Sequence, residues 1–124
     1  MRTEPMEEEI DGIRRNFKRC QDQTVEAIIN LRKTGDTALI EPIVRGIVWR
    51  YVQEETRPVV EQATADTPLA ALGIDSLMML EVVLDVQDAL DVVIEDADLR
   101  QMHTMGDVIQ FLVGHYKKTH EAAA

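Results

Sequence analysis

The chain has 124 residues, 45% of them apolar, and a formal net charge of −10. That is enough for one compact domain with its own core, too short for two, and too apolar for wholesale disorder. Between Arg57 and Arg100 there is no basic residue and there are ten carboxylates, a surface that repels phosphate backbones, excludes nucleic acid and steers basic protein partners.

Apolar spacing is helical nearly throughout, with no alternating strand run between hairpin turns. The opening residues show no basic-then-apolar leader pattern. No apolar run approaches the roughly 20 residues of a membrane span. The lone cysteine, Cys20, excludes an internal disulfide framework. A cytoplasmic protein is expected.

The first helix is predicted over about residues 7–33, stopping at Thr34-Gly35-Asp36. Ile10, Ile13, Phe17, Cys20, Thr24, Ala27 and Leu31 form a narrow 3-4 stripe, suited to docking rather than to a free coiled coil. Arg14, Arg15, Lys18 and Arg19 form a basic cluster on it. The cluster reads as a solvated face balanced by neighbouring acids, or as a patch that meets the acidic half of the chain or a particular enzyme.

Asp36 caps a second predicted helix running to about residue 54, with a broad apolar face of Ile40, Ile43, Val44, Ile47, Val48, Tyr51 and Val52. Residues 56–73, with Pro58 and Pro68, read as a long connecting loop. A third helix follows over about residues 76–90, then a short piece near 96–102. The last helix opens at Thr104 with Asp107 three residues on as a capping box, and runs to about residue 117. The end of the chain, 118–124, is expected to be a flexible tail.

The third helix is the informative one. Met79, Val82, Val83, Val86 and Leu90 form a core-facing stripe. Leu77, Leu80 and Leu84 make a second apolar row, beside Glu81, Asp85 and Asp88. One apolar face suffices for a surface helix, so the second row marks deep burial or a partner site. At the helix start, Asp75 and Ser76 read either as an ordinary cap or as a cap followed by an exposed hydroxyl. A phosphate ester on that hydroxyl would meet free backbone N–H groups and the positive helix end.

Leu72-Gly73-Ile74-Asp75-Ser76-Leu77, followed by Glu81-Val82-Val83 and Asp88-Ala89-Leu90, resembles the acyl carrier proteins. The resemblance continues through Val93-Ile94-Glu95-Asp96-Ala97-Asp98 and His103-Thr104-Met105 into the final helix, covering about residues 37–117. It implies an all-α four-helix acyl-carrier-like bundle, three main helices plus one short one. Residues 1–36 would add an N-terminal helix with no counterpart in the standard unit.

The resemblance further implies 4′-phosphopantetheine, transferred from coenzyme A to Ser76 by a phosphopantetheinyl transferase. Asp75 would assist that Mg-dependent recognition. Leu77, Leu80, Leu84, Glu81, Asp85 and Asp88 would be the face read by acyl-transferring and condensing enzymes with basic docking surfaces. Acyl groups would ride as thioesters on the arm's thiol, so the protein itself needs no base, oxyanion hole or metal and is not an enzyme. Six methionines and few aromatics suit a yielding interior.

Some residues depart from the family pattern. Met78 stands where fatty-acid-type carriers have an acid, and Arg100 interrupts a normally more acidic region. Ile74 replaces the alanine of housekeeping carriers, as in polyketide-type or specialised discrete carriers, and the Gly-Gly of peptidyl carriers is absent. Fatty-acid, polyketide or specialised lipid biosynthesis is therefore expected. The competing class is a helical adaptor that keeps the carrier fold without acyl cargo.

Other chemistries lack support. No Gly-x-Ser-x-Gly elbow surrounds Ser76. His103, His115 and His120 lack metal-ligand spacing. Asp96-Ala97-Asp98 lacks the glycine and later glutamate of a calcium loop. Cys20 reads as a small apolar residue on its stripe.

Overall fold

The structure is a computed structural model and describes residues 7–122, with side chains for 7–120. Among these residues the chain forms seven α-helices: α1 (Glu7–Asn16), α2 (Asp22–Thr34), α3 (Ile40–Tyr51), α4 (Arg57–Gln62), α5 (Ser76–Leu90), α6 (Asp96–Leu99) and α7 (Met105–Ala122). None of the helices is long and apolar enough to cross a membrane. The all-α carrier-like bundle expected from the sequence is present as α3, α5, α6 and α7, with additional helical structure ahead of it.

That additional structure corrects the prediction of one continuous helix over residues 7–33. As a straight helix this stretch would be about 40 Å long and its ends would overhang the bundle. Instead α1 stops at Asn16, Cys20 N–H donates to the Phe17 carbonyl at 2.9 Å, and Gln21 turns extended to start α2. The fold-back buries Ile13, Phe17 and Cys20 with Ile28 and Leu31. Arg14 bridges to Glu26 at 2.9 Å and Arg32 pairs with Glu9, tying α1 to α2. The α2 helix ends as predicted at Gly35, whose φ of 71° is the left-handed conformation glycine tolerates.

Asp36 caps as expected, accepting from Ala38 N–H at 3.0 Å, but it caps a short 3-10 turn that leads into α3. The segment read as a long loop over 56–73 is corrected too. Pro58 lies in the first turn of α4, where its missing N–H costs nothing and its fixed φ favours helix. Pro68 precedes a 3-10 turn over Leu69–Leu72. Backbone bonds from Leu69 N–H to His103 O (2.9 Å) and from Met105 N–H to Thr67 O (3.0 Å) fasten this segment to the start of α7.

One hydrophobic cluster runs through the molecule, with α2 contributing Ile28 and Leu31 beside Ile43 and Ile47 of α3, Leu90 of α5 and Leu112 of α7. The N-terminal helices thus share the core of the bundle. The capping box at Thr104 and Asp107 is formed reciprocally, with both bonds at 3.1 Å. A third bond, from His103 N–H at 3.0 Å, adds to it. Backbone donation from His103 and Thr104 holds the Asp107 carboxyl below its ordinary value. The last helix continues past residue 117 to Ala122, with His120 Nε2 meeting the Leu90 carbonyl at 3.0 Å. Residues 123 and 124 of the expected tail lie outside the described residues, as do residues 1–6 of the N-terminal extension.

Candidate functional site

The site is built at the N-terminus of α5. Leu72 is fully buried and anchors the approach, and Gly73 turns the chain with a φ of 74°. Asp75 is extended, and its Oδ1 accepts from Met78 N–H at 2.7 Å, so it is the N-cap. Ser76 is then the first helical residue, solvent-exposed, with no described residue bonded to its hydroxyl. No acidic side chain lies within the first turn itself.

A phosphodiester fits here. The Ser76 and Leu77 N–H groups precede the first intrahelical bond, the helix dipole favours an anion, and the serine oxygen faces solvent. Both readings of Asp75 and Ser76 open at the sequence level are met together: Asp75 caps, and the hydroxyl beside it is free.

Along α5, Val82, Val83, Val86 and Leu90 are buried as their spacing predicts, and Met79 is half-buried. Leu77, Leu80 and Leu84 are 68%, 55% and 60% exposed, so the second apolar row faces solvent rather than the core. Glu81 and Asp88 stand exposed beside the row. Asp85 does not stand free with them. Its Oδ2 accepts from Arg50 Nη1 at 2.8 Å and from the Tyr51 hydroxyl at 2.7 Å, and both side chains of the ion pair are about one-fifth exposed. Burial, and then the bond to Asp85, pushes the Tyr51 phenol up to about 12. Neither Arg50 nor Tyr51 was singled out as a site residue from the sequence, because nothing local marks a pairing across 34 or 35 positions.

The remaining candidates are dispersed. His115 Nε2 meets the Val93 carbonyl at 2.6 Å, His120 meets Leu90, and His103 lies at the α7 cap. Asp98 completes the capping box of α6, accepting from the N–H of the N-cap Glu95 at 3.0 Å. Among the described residues no group of three His, Cys, Asp or Glu side chains is placed to hold a metal ion. Cys20 is buried, and burial raises its thiol above the ordinary value, the opposite of an activated thiolate.

The family model described as a phosphopantetheine attachment site matches residues 50–112, from the end of α3 into α7. The chain belongs to this family, that of the acyl carrier proteins. An acyl carrier protein of Exiguobacterium sp. strain AT1b is 37% identical over 66 residues, covering 52% of this chain and 84% of the relative. The meromycolate extension acyl carrier protein of Mycolicibacterium smegmatis is 32% identical over 85 residues, 68% of this chain and 85% of that one. Family membership brings a covalently attached phosphopantetheine and the role of a carrier rather than a catalyst. Helices α1 and α2 lie ahead of the region the family model matches.

Proposed function

We propose that the protein holds acyl groups on a 4′-phosphopantetheine arm at Ser76 and presents them to enzymes of fatty-acid, polyketide or specialised lipid biosynthesis. The observation that carries this reading is the exposed Ser76 hydroxyl at the open first turn of α5, directly after its N-cap Asp75. Loading forms a P–O ester bond at Ser76 Oγ, breaks the diphosphate of coenzyme A and releases adenosine 3′,5′-bisphosphate, the hydroxyl proton leaving to base. Once attached, the arm supplies a terminal thiol that bears acyl chains as thioesters.

The chain's own residues position and recognise. Asp75 fixes the turn and is the residue a phosphopantetheinyl transferase reads beside Ser76. Leu77, Leu80 and Leu84, with Glu81 and Asp88, form the docking face for that transferase and for acyl-transferring and condensing enzymes. Apolar rows rimmed by one sign of charge give fast, steered and short-lived encounters. The Mycolicibacterium smegmatis relative, a meromycolate extension acyl carrier protein, supports an acyl group as cargo.

The test is intact mass after incubation with coenzyme A, Mg²⁺ and a broad-specificity phosphopantetheinyl transferase. The wild type is expected to gain one phosphopantetheinyl group and Ser76→Ala none. Folded wild type that gains nothing from several transferases would make the chain an adaptor without cargo.

A further inference from the structure

We infer that the docking face of α5 is one-sided: basic partner surfaces engage Glu81 and Asp88 over the leucine row, while Arg50 and Tyr51 withdraw Asp85 and close the flank toward α3. The inference rests on the carrier reading and narrows it to an orientation.

Two observations carry it. First, the two donors converge on a single oxygen of Asp85, the arginine bringing a full positive charge against it. Arg50 also lies over the Tyr51 ring, 4.5 Å from its centroid, so the two donors brace one another. Second, the positions around α5 are ordered. With 100° per residue, Leu77 and Leu84 head the exposed face, Glu81 and Asp88 follow, and Asp85 lies at its edge. Arg50 and Tyr51 reach Asp85 from the end of α3, which sets the α3 flank on that same edge.

Across the surface the order is therefore apolar, acidic, then neutralised. A basic partner surface is attracted at Glu81 and Asp88 and meets an already paired carboxylate at Asp85. Charge arranged in this way fixes register more than it adds affinity. Asp85 shares the residue type and helical spacing of its two acidic neighbours, yet it works as the fastening of α5 to α3.

The test is the transfer reaction at Ser76 with the full chain and a broad-specificity phosphopantetheinyl transferase, its KM and kcat read at low and at high salt. Glu81→Gln is expected to raise KM about two- to fivefold, the size of an exposed charge pair, with kcat unchanged and a flatter salt dependence. The double variant of Asp85→Asn with Arg50→Gln, which removes both charges of the pair, is expected to keep the wild-type KM. Arg50→Gln, which frees Asp85 to act as a charge, is expected to lower KM about two- to fivefold and to steepen the salt dependence. Arg50→Lys should sit with the wild type. If the double variant loses its fold, seen in circular dichroism, the two Arg50 variants decide alone. The double variant raising KM as Glu81→Gln does, or Arg50→Gln leaving KM unchanged, overturns the inference while the carrier reading stands. A wild-type chain that is never modified removes both.

Discussion

Gly46→Ala tests the seat of the N-terminal helices, because the sign of its effect depends on whether α2 lies against α3. Gly46 is inside α3, where alanine is intrinsically the better helix former by about 1 kcal/mol. A β-carbon there would meet Thr24 of α2, nearest its Oγ1, with Cγ2 at 2.7 Å and Cβ at 2.9 Å. Thr24 is β-branched and 3% exposed, so it has no room to rotate away and the helices must part. Overpacking of this kind costs about 1–3 kcal/mol. The upper half of that range applies, and the net loss after the propensity gain is about 1–2 kcal/mol. At about 2.1 cal/mol/K per residue, the melting entropy of a chain this size gives about 4 °C per kcal/mol, so Tm should fall by about 4–8 °C. The assay is thermal unfolding by circular dichroism, with Thr24→Ala and the double variant completing a cycle. Removing Oγ1 and Cγ2 should return at least about 1 kcal/mol of the loss. A Gly46→Ala chain that melts higher than the wild type would refute the α2–α3 packing described above.

Two further outcomes check the core and the Asp85 junction. Leu31→Ala, at a fully buried position of α2, should cost about 2–5 kcal/mol and lower Tm by roughly 8–20 °C, whereas Leu77→Ala, 68% exposed, should change stability by no more than about 0.5 kcal/mol. Equal shifts for the two would contradict their placement. The Tyr51 phenol should ionise near pH 12, read as the difference in phenolate absorbance between the wild type and Tyr51→Phe, and Asp85→Asn should bring that midpoint down toward 10. The fold prefers the neutral phenol, so between pH 10 and 12 the unfolded chain releases its proton first and this group's contribution to stability falls as pH rises. A midpoint near 10 in the wild type would remove the hydrogen bond to Asp85.

Helix α5 was legible from the sequence because everything that makes it is local. Asp75 caps three residues ahead of the N–H it accepts from, and the buried stripe repeats at helical spacing. The same holds for the Thr104 and Asp107 box, whose partners are three residues apart. The break at residues 17–21 was not legible, because that segment has neither glycine nor proline and the 3-4 stripe runs through it. What divides it is the shared core, which gains Ile13 and Phe17 only if α1 folds back. Helix α4 was missed because Pro58 reads as a breaker, although in a first turn it is a starter. The fate of Asp85 was hidden for the simplest reason, since its partners Arg50 and Tyr51 are 35 and 34 positions away.

The two ends of α5 are held very differently, and that asymmetry suits the modification proposed for one of them. At the start, one side chain, Asp75, takes one N–H, and Ser76 is left open. At the far end the carbonyls with no intrahelical partner are claimed from other elements. Arg32 of α2 donates to Asp88 O at 2.6 Å and Ala89 O at 3.2 Å, and His120 of α7 meets Leu90 O, while His115 meets Val93 O in the segment that follows the helix. A cation at a helix C-terminus also complements its dipole. Between these contacts Asp91 holds a φ of 54°, a left-handed turn more often given to glycine. Rotation of α5 by even one position would carry Leu77 or Leu84 inward and expose Val86 or Ala89. The fastenings at its C-terminal end oppose that rotation without touching the first turn. Arg32 of α2 thus holds the end of α5 at the azimuth that keeps the leucine row turned outward.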